Sequence, residues 1–157
     1  MAANGPLIVF LCLTGALLTA GDDPLHNGCT MGWSRFGTRC FKFFNSEKTW
    51  TMAEESCNNL RGNLASIHSD EENAFIHGLI NGPTWLGGHD AVEEGVWMWT
   101  DGSPWDYTKW WDGEPNNAGG IEHSLMIHAY GPIATSWNDY PSSKKMGYIC
   151  VTVGIWS

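Results

Sequence analysis

Four cysteines constrain this chain more than any other feature. Cys29, Cys40, Cys57 and Cys150 follow an apolar N-terminal stretch that holds a fifth, Cys12. That stretch, Pro6 to Leu18, carries no charged side chain and is followed by Thr19, Ala20 and Gly21 and then by Asp22 and Asp23. It is shorter than the ~20 residues a membrane-spanning helix needs. Although no Lys or Arg precedes it, the order of segments reads as a secretory signal over residues 1–21, cut near Ala20 or Gly21, with one mature domain over 22–157. Cys12 leaves with the signal. An even set of four in an exported chain predicts two disulfides, with three pairings open.

The length of 157 residues favours a single domain. A net charge of −9 excludes the basic surface that nucleic-acid binding requires. No Asn-x-Ser/Thr sequon occurs, so no N-glycan is expected. No Ser stands in a Gly-x-Ser-x-Gly setting, and no catalytic constellation emerges; the chain is expected not to be an enzyme.

Two helices are expected in the first half. Trp50, Ala53, Cys57 and Leu60 recur at spacings of three and four, predicting a helix over Thr51 to Leu60 with Thr51 and Glu54 as a capping box and Gly62 at its end. Ser69 with Glu72 opens a second, Asp70 to Ile80, whose apolar face is Phe75, Ile76, Leu79 and Ile80. Strand-like runs are Cys40–Phe44, Trp85–Leu86, Val96–Thr100, Ser124–His128 and Gly147–Val153. Turn-rich segments, 101–104 and 112–120, lie between them. The class is α+β with a loop-heavy second half, which a disulfide or a metal must hold.

Within that half, Glu114, Asn116, Glu122, Asn138 and Asp139 offer only oxygen, as three carboxylates and two amides. Calcium takes six to eight such ligands, whereas zinc calls for Cys or His. His123 and His128 lie at an odd spacing, which in a strand points them to opposite faces, and no His or Cys completes a zinc set with them.

The letters around these residues resemble the C-type lectin-like domain family. The matching segments are Trp97 to Ser103, Trp110, Gly113-Glu114-Pro115-Asn116-Asn117, Glu122, Trp137-Asn138-Asp139 and Gly147 to Cys150. Upstream, Cys40-Phe41, Thr49-Trp50, Ala53, Cys57, Leu64 to Ile67 and Trp85 to Gly88 match in the same order, so the likeness runs from Cys29 to Cys150. In layout the chain is similar to small secreted single-domain fish lectins.

The resemblance implies two helices, two small antiparallel sheets and a long calcium-binding loop region. It implies disulfides Cys29–Cys40 and Cys57–Cys150. It assigns Glu114, Asn116, Glu122, Asn138 and Asp139 to a Ca2+ ion that ligates sugar hydroxyls. Glu-Pro-Asn in this family goes with mannose-type sugars, Gln-Pro-Asp with galactose, so the expected partners are mannose-type glycans on cell or microbial surfaces, in innate defence. With the cysteines paired internally, any homo-oligomer is non-covalent.

Two departures stand out. The family's second disulfide, inside the long-loop region, falls here on Ser124 and Ser142, so calcium is expected to supply more of the loop's order. A second calcium site would use Asp90, Glu94 and Asn117, but Asn117 and His123 stand where carboxylates are usual. Trp111 and Trp105 are candidate contacts to ligand, and Trp110 is structural by family position. The alternatives are an ice-binding protein of the type II antifreeze kind and a protein-binding module without sugar activity.

Overall fold

The computed structural model describes residues 25–26 and 28–154. The expected signal, residues 1–21, lies outside them. Among the described residues, no helix is long and apolar enough to cross a membrane.

A short hairpin, β1 (Leu25–His26) and β2 (Cys29–Thr30), opens the chain. There follow β3 (Ser34–Phe36), β4 (Arg39–Lys48), α1 (Trp50–Asn58), β5 (Asn63–Leu64) and α2 (Asp70–His77). The second half holds β6 (Thr84–His89), β7 (Met98–Trp99), β8 (Glu122–Ile127), β9 (Trp137–Pro141) and β10 (Met146–Val153). The α+β class is as expected, but the strands are not two small antiparallel sheets. Among the described residues, β3 to β10 join in one eight-stranded sheet, ordered β3-β4-β10-β6-β8-β9 with β5 on β10 and β7 on β6. The join is parallel: β10 meets β6 at Gly147↔Thr84 and Tyr148↔Trp85. The last strand is thus central. Met146 to Val151 are all buried, as a strand covered on both faces requires.

Two disulfides brace this frame. Cys29–Cys40 ties the hairpin to β4. Cys57–Cys150 ties α1 to β10 across a sequence separation of 93. In loop-entropy terms a closure of that length contributes about 4–5 kcal/mol. Around it pack Ala53, Leu64, Trp85, Met126 and Tyr148. A second cluster, with Phe41, Ile76, Leu86, Leu125, Trp137 and Ile149, fills the far side.

The helix starts correct the local reading in an instructive way. Thr49, not Thr51, caps α1, accepting from Met52 N at 3.4 Å. Glu54 does not reach back to the helix start. Its Oε2 accepts from Leu64 N at 2.8 Å and Thr100 Oγ1 at 3.2 Å, and its Oε1 from Asn63 Nδ2 at 2.8 Å. The residue that looks like a cap thus pins β5 to the segment after β7. Replacing Thr49 by Ala is therefore expected to cost about 1 kcal/mol, and Thr51 by Ala close to nothing. Urea midpoints of the two variants would measure this, and the reverse order would contradict the cap.

At the other end of α1 the left-handed residue is Arg61, φ 60°. Gly62 is needed for space instead, since a Cβ there would lie 2.2 Å from Val151 O. Helix α2 is capped by Ser69 as expected, accepting from Glu72 N at 3.1 Å. It ends at His77, and Leu79 and Ile80 pack on the core beyond it. Glu72 and Asn73 are buried. Glu72 pairs with Arg39, and Asn73 Oδ1 accepts from Trp137 Nε1 at 2.8 Å.

Candidate functional site

The tryptophans position the loop. Trp99 packs on Trp105 with ring centroids 4.4 Å apart, and Trp97 meets Trp110 edge-on at 4.8 Å. Trp137, fully buried, touches Trp99, Trp105 and Trp110. Its backbone holds the same segment: Trp137 N donates to Lys109 O at 2.8 Å and Trp111 N to Trp137 O at 2.9 Å. Glu114 N then donates to Trp111 O at 2.9 Å. One buried residue of β9 thus sets the height of the loop that carries Glu114 and Asn116, and Asn138 and Asp139 follow it directly. Trp105 is half-buried and packs against the core, whereas Trp111 stays 43% exposed.

Glu114, Asn116, Glu122 and Asp139 come together. The Glu114–Pro115 bond is cis, and Asn116 Nδ2 donates to Glu114 Oε1 at 2.9 Å. Asp139, 1% exposed, accepts from Asn116 N at 3.1 Å and from Asn117 N at 2.7 Å. Glu122 Oε2 accepts from Ala118 N at 2.8 Å. Asn117 closes the ring, its Oδ1 accepting from Glu122 N at 3.1 Å. Two carboxylates thus hold three successive loop amides. No hydrogen bond joins the side chain of Asn138 to the others. Its Oδ1 is buried without a partner, and so is Glu114 Oε2. Among the described residues these are the only side-chain oxygens in that condition.

A buried carboxylate oxygen without a donor is costly, about 1–3 kcal/mol or more. Burial first, then the close approach of the Asp139 carboxyl and the charges of Asp139 and Glu122, raise the Glu114 carboxyl to about 7. A hard divalent cation answers both conditions, because it neutralises the crowded acids and takes oxygen as ligand. The donor set is all oxygen, so the residues fit calcium rather than zinc.

Beside this site lies a second cluster. Asp90, just after β6 and 2% exposed, faces His123, whose Nδ1 lies 3.0 Å from Asp90 Oδ1. Glu94 Oε2 lies 3.5 Å from the same nitrogen. Asn117 is present too, but it turns its Nδ2 to Glu94 Oε2 at 2.5 Å and commits its Oδ1 to Glu122 N. The expected trio of Asp90, Glu94 and Asn117 is therefore contiguous, yet the groups that face one another are Asp90, Glu94 and His123. Sequence reasoning placed His123 at this site only as a replacement for a usual carboxylate, and tested it as a metal ligand only against His128. Its position next to Glu122, in line with β6, was the available signal.

Ser124 and Ser142 also meet, Oγ to Oγ, at 2.7 Å.

Among families, the model of the lectin C-type domain matches residues 46–152. Ladderlectin of Oncorhynchus mykiss is 42% identical over 120 residues, 73% of this chain, and the match spans only 62% of that protein's length. The galactose-specific lectin nattectin of Thalassophryne nattereri is 38% identical over 158 residues, 96% of this chain and 98% of its own. Among solved structures, a calcium-independent type II antifreeze protein superposes with a TM-score of 0.76 at 36% identity, over 81% of this chain and 95% of the other.

Proposed function

The chain belongs to the C-type lectin domain family, and on that premise we propose that it is a secreted, calcium-dependent carbohydrate-binding protein of mannose type. One observation carries the reading: the buried, unpartnered Glu114 Oε2 and Asn138 Oδ1 lie on residues that belong to one all-oxygen set with Asn116, Glu122 and Asp139. Bound calcium would supply open coordination positions for two neighbouring sugar hydroxyls. Glu114 and Glu122 accept the hydroxyl protons, and the amide groups of Asn116 and Asn138 donate to the hydroxyl oxygens. Such charge-assisted bonds are stronger than neutral ones. Asp139 holds the loop amides in place while its charge faces the ion. The relatives are named for binding, not catalysis, and this chain is read the same way. A single site of this kind binds a monosaccharide weakly, so partners would be multivalent glycans on cell or microbial surfaces, engaged by a non-covalent homo-oligomer.

The test is retention of the purified protein on mannose-agarose with calcium and elution by EDTA, with galactose-agarose in parallel. Retention on mannose alone is expected. Retention on galactose alone would keep the calcium reading and overturn the mannose one, a comparison that matters because nattectin is named for galactose. Retention on neither resin would sink the sugar reading. The likeness to an antifreeze protein then favours ice binding, which thermal hysteresis measures directly.

Calcium affinity is also expected to fall with acid. The Glu114 carboxyl, raised to about 7, keeps its proton below that pH in the ion-free protein, and calcium must displace it. Calorimetric titration at pH 5.5 and 7.5 should show the weaker binding at 5.5, and equal affinity would contradict it.

A further inference from the structure

We propose that Asp90, Glu94 and His123 form a second metal site, beside the first, for a borderline divalent cation of zinc type rather than calcium. The proposal does not rest on the sugar reading.

The geometry points there in three ways. First, one ligand atom from each residue lies within 4.8 Å of the other two, with no rearrangement of the backbone. His123 Nδ1 stands 3.0 Å from Asp90 Oδ1 and 3.5 Å from Glu94 Oε2. A tetrahedral ion with bonds of about 2.0–2.1 Å holds its ligand atoms about 3.3 Å apart, between those two values. Second, the donor set is one imidazole nitrogen and two carboxylates. Calcium takes oxygen, whereas imidazole suits zinc and its neighbours. The amide oxygen that would have made the set more calcium-like is withdrawn, because Asn117 Oδ1 is held by Glu122 N. Third, the site is anchored and open at once. Asp90 is buried, its Oδ2 held by Gly95 N at 2.8 Å, while the Glu94 and His123 side chains are 56% and 34% exposed. Three protein ligands with a solvent-facing fourth position is an arrangement zinc accepts.

The ion would take the place of the direct contacts of His123 Nδ1 with Asp90 Oδ1 and Glu94 Oε2. It would also draw Glu94 Oε2 from Asn117 Nδ2. Asn117 N already donates to Asp139 Oδ2, so Asn117 belongs to both clusters. Occupancy of one site is then felt at the other, with a reciprocal change in affinity.

The experiment is calorimetric titration of zinc chloride, and separately of calcium chloride, into the purified, untagged, chelator-treated protein. Wild type, Glu94→Gln, His123→Ala, His123→Asp and Glu114→Gln are compared. Glu94 is exposed enough that its variant should fold, which far-UV circular dichroism checks. The expected result is one zinc per chain, weakened at least tenfold by Glu94→Gln and by His123→Ala and not by Glu114→Gln. His123→Asp should lose zinc and gain a second calcium. Cobalt should give a visible d–d absorption in wild type that His123→Ala abolishes. No zinc binding in the wild type, zinc binding indifferent to both Glu94→Gln and His123→Ala, or zinc lost in Glu114→Gln instead would each overturn the proposal. Retention on mannose-agarose is a separate readout, so failure of the zinc proposal and failure of the sugar reading are distinguishable.

Discussion

Replacing Asp139 by Ala is expected to weaken calcium at least a hundredfold and to abolish retention on mannose-agarose, while the disulfide-braced frame stays folded. The size of the effect follows from how many tasks the residue has. Its two oxygens accept from Asn116 N and Asn117 N, at 3.1 and 2.7 Å, and its charge is one of three that face the proposed ion. The variant removes a proposed ligand and unties the loop that carries two more of the proposed set. A hundredfold loss corresponds to about 2.7 kcal/mol, which one lost charge-assisted acceptor can supply. Asp139→Asn should fall between, since it keeps one oxygen and loses the charge. Calcium calorimetry and the mannose column read the two functions separately. Circular dichroism with both disulfides intact shows that the frame survives. Undiminished calcium binding in Asp139→Ala would remove this residue from the site and the all-oxygen set with it.

A second large effect is expected from adding a bond. The double variant Ser124→Cys, Ser142→Cys should form a disulfide spontaneously in air. The two hydroxyl oxygens already meet at 2.7 Å, with Ser124 1% exposed in β8 and Ser142 just past the end of β9. A closure at a sequence separation of 18 contributes about 3 kcal/mol in loop-entropy terms. For a domain of this size that raises Tm by roughly 10 °C. Chelator should expose the segment between Trp111 and Glu122 to protease in the wild type and much less so in the double variant. Free thiols in the folded double variant would sink the prediction, and so would an unchanged Tm. Ser142 is also where the start of α1 is held, Trp50 N donating to Ser142 O at 3.0 Å, so the added bond braces the Ser142 end of that contact.

Both predictions depend on contacts that were legible in the sequence to very different degrees. Asp139 stood out by its letters, in Trp137-Asn138-Asp139. That its oxygens hold the amides of Asn116 and Asn117 did not, because the two segments meet only through the loop's path over the tryptophan cluster. Glu54 shows the same limit. Its spacing from Thr51 is that of a cap, yet its carboxylate serves Leu64, Asn63 and Thr100. A partner three residues away and a partner ten away leave the same mark in a sequence. Strand β9 went unread for another reason: its letters are polar and turn-like, and it pairs only because β8 presents a free edge.

By itself, then, the sequence determined what near neighbours along a chain can decide. The spacing of Ala53 and Cys57 and the cap at Ser69 set the two helices. The even number of cysteines outside the apolar N-terminal stretch set the number of disulfides. The run of oxygen-bearing residues pointed to the kind of ion proposed for the loop. What only the tertiary structure decided is which distant groups share a point in space. It joined β10 in parallel to β6, buried Asn73 against Trp137, and placed His123 between Asp90 and Glu94. Local signals arise from repeats of 3.6 and 2 residues that any short window contains. Convergence of charge arises from sheet register and from which side of a strand faces the loop, and these are settled only when the whole core packs.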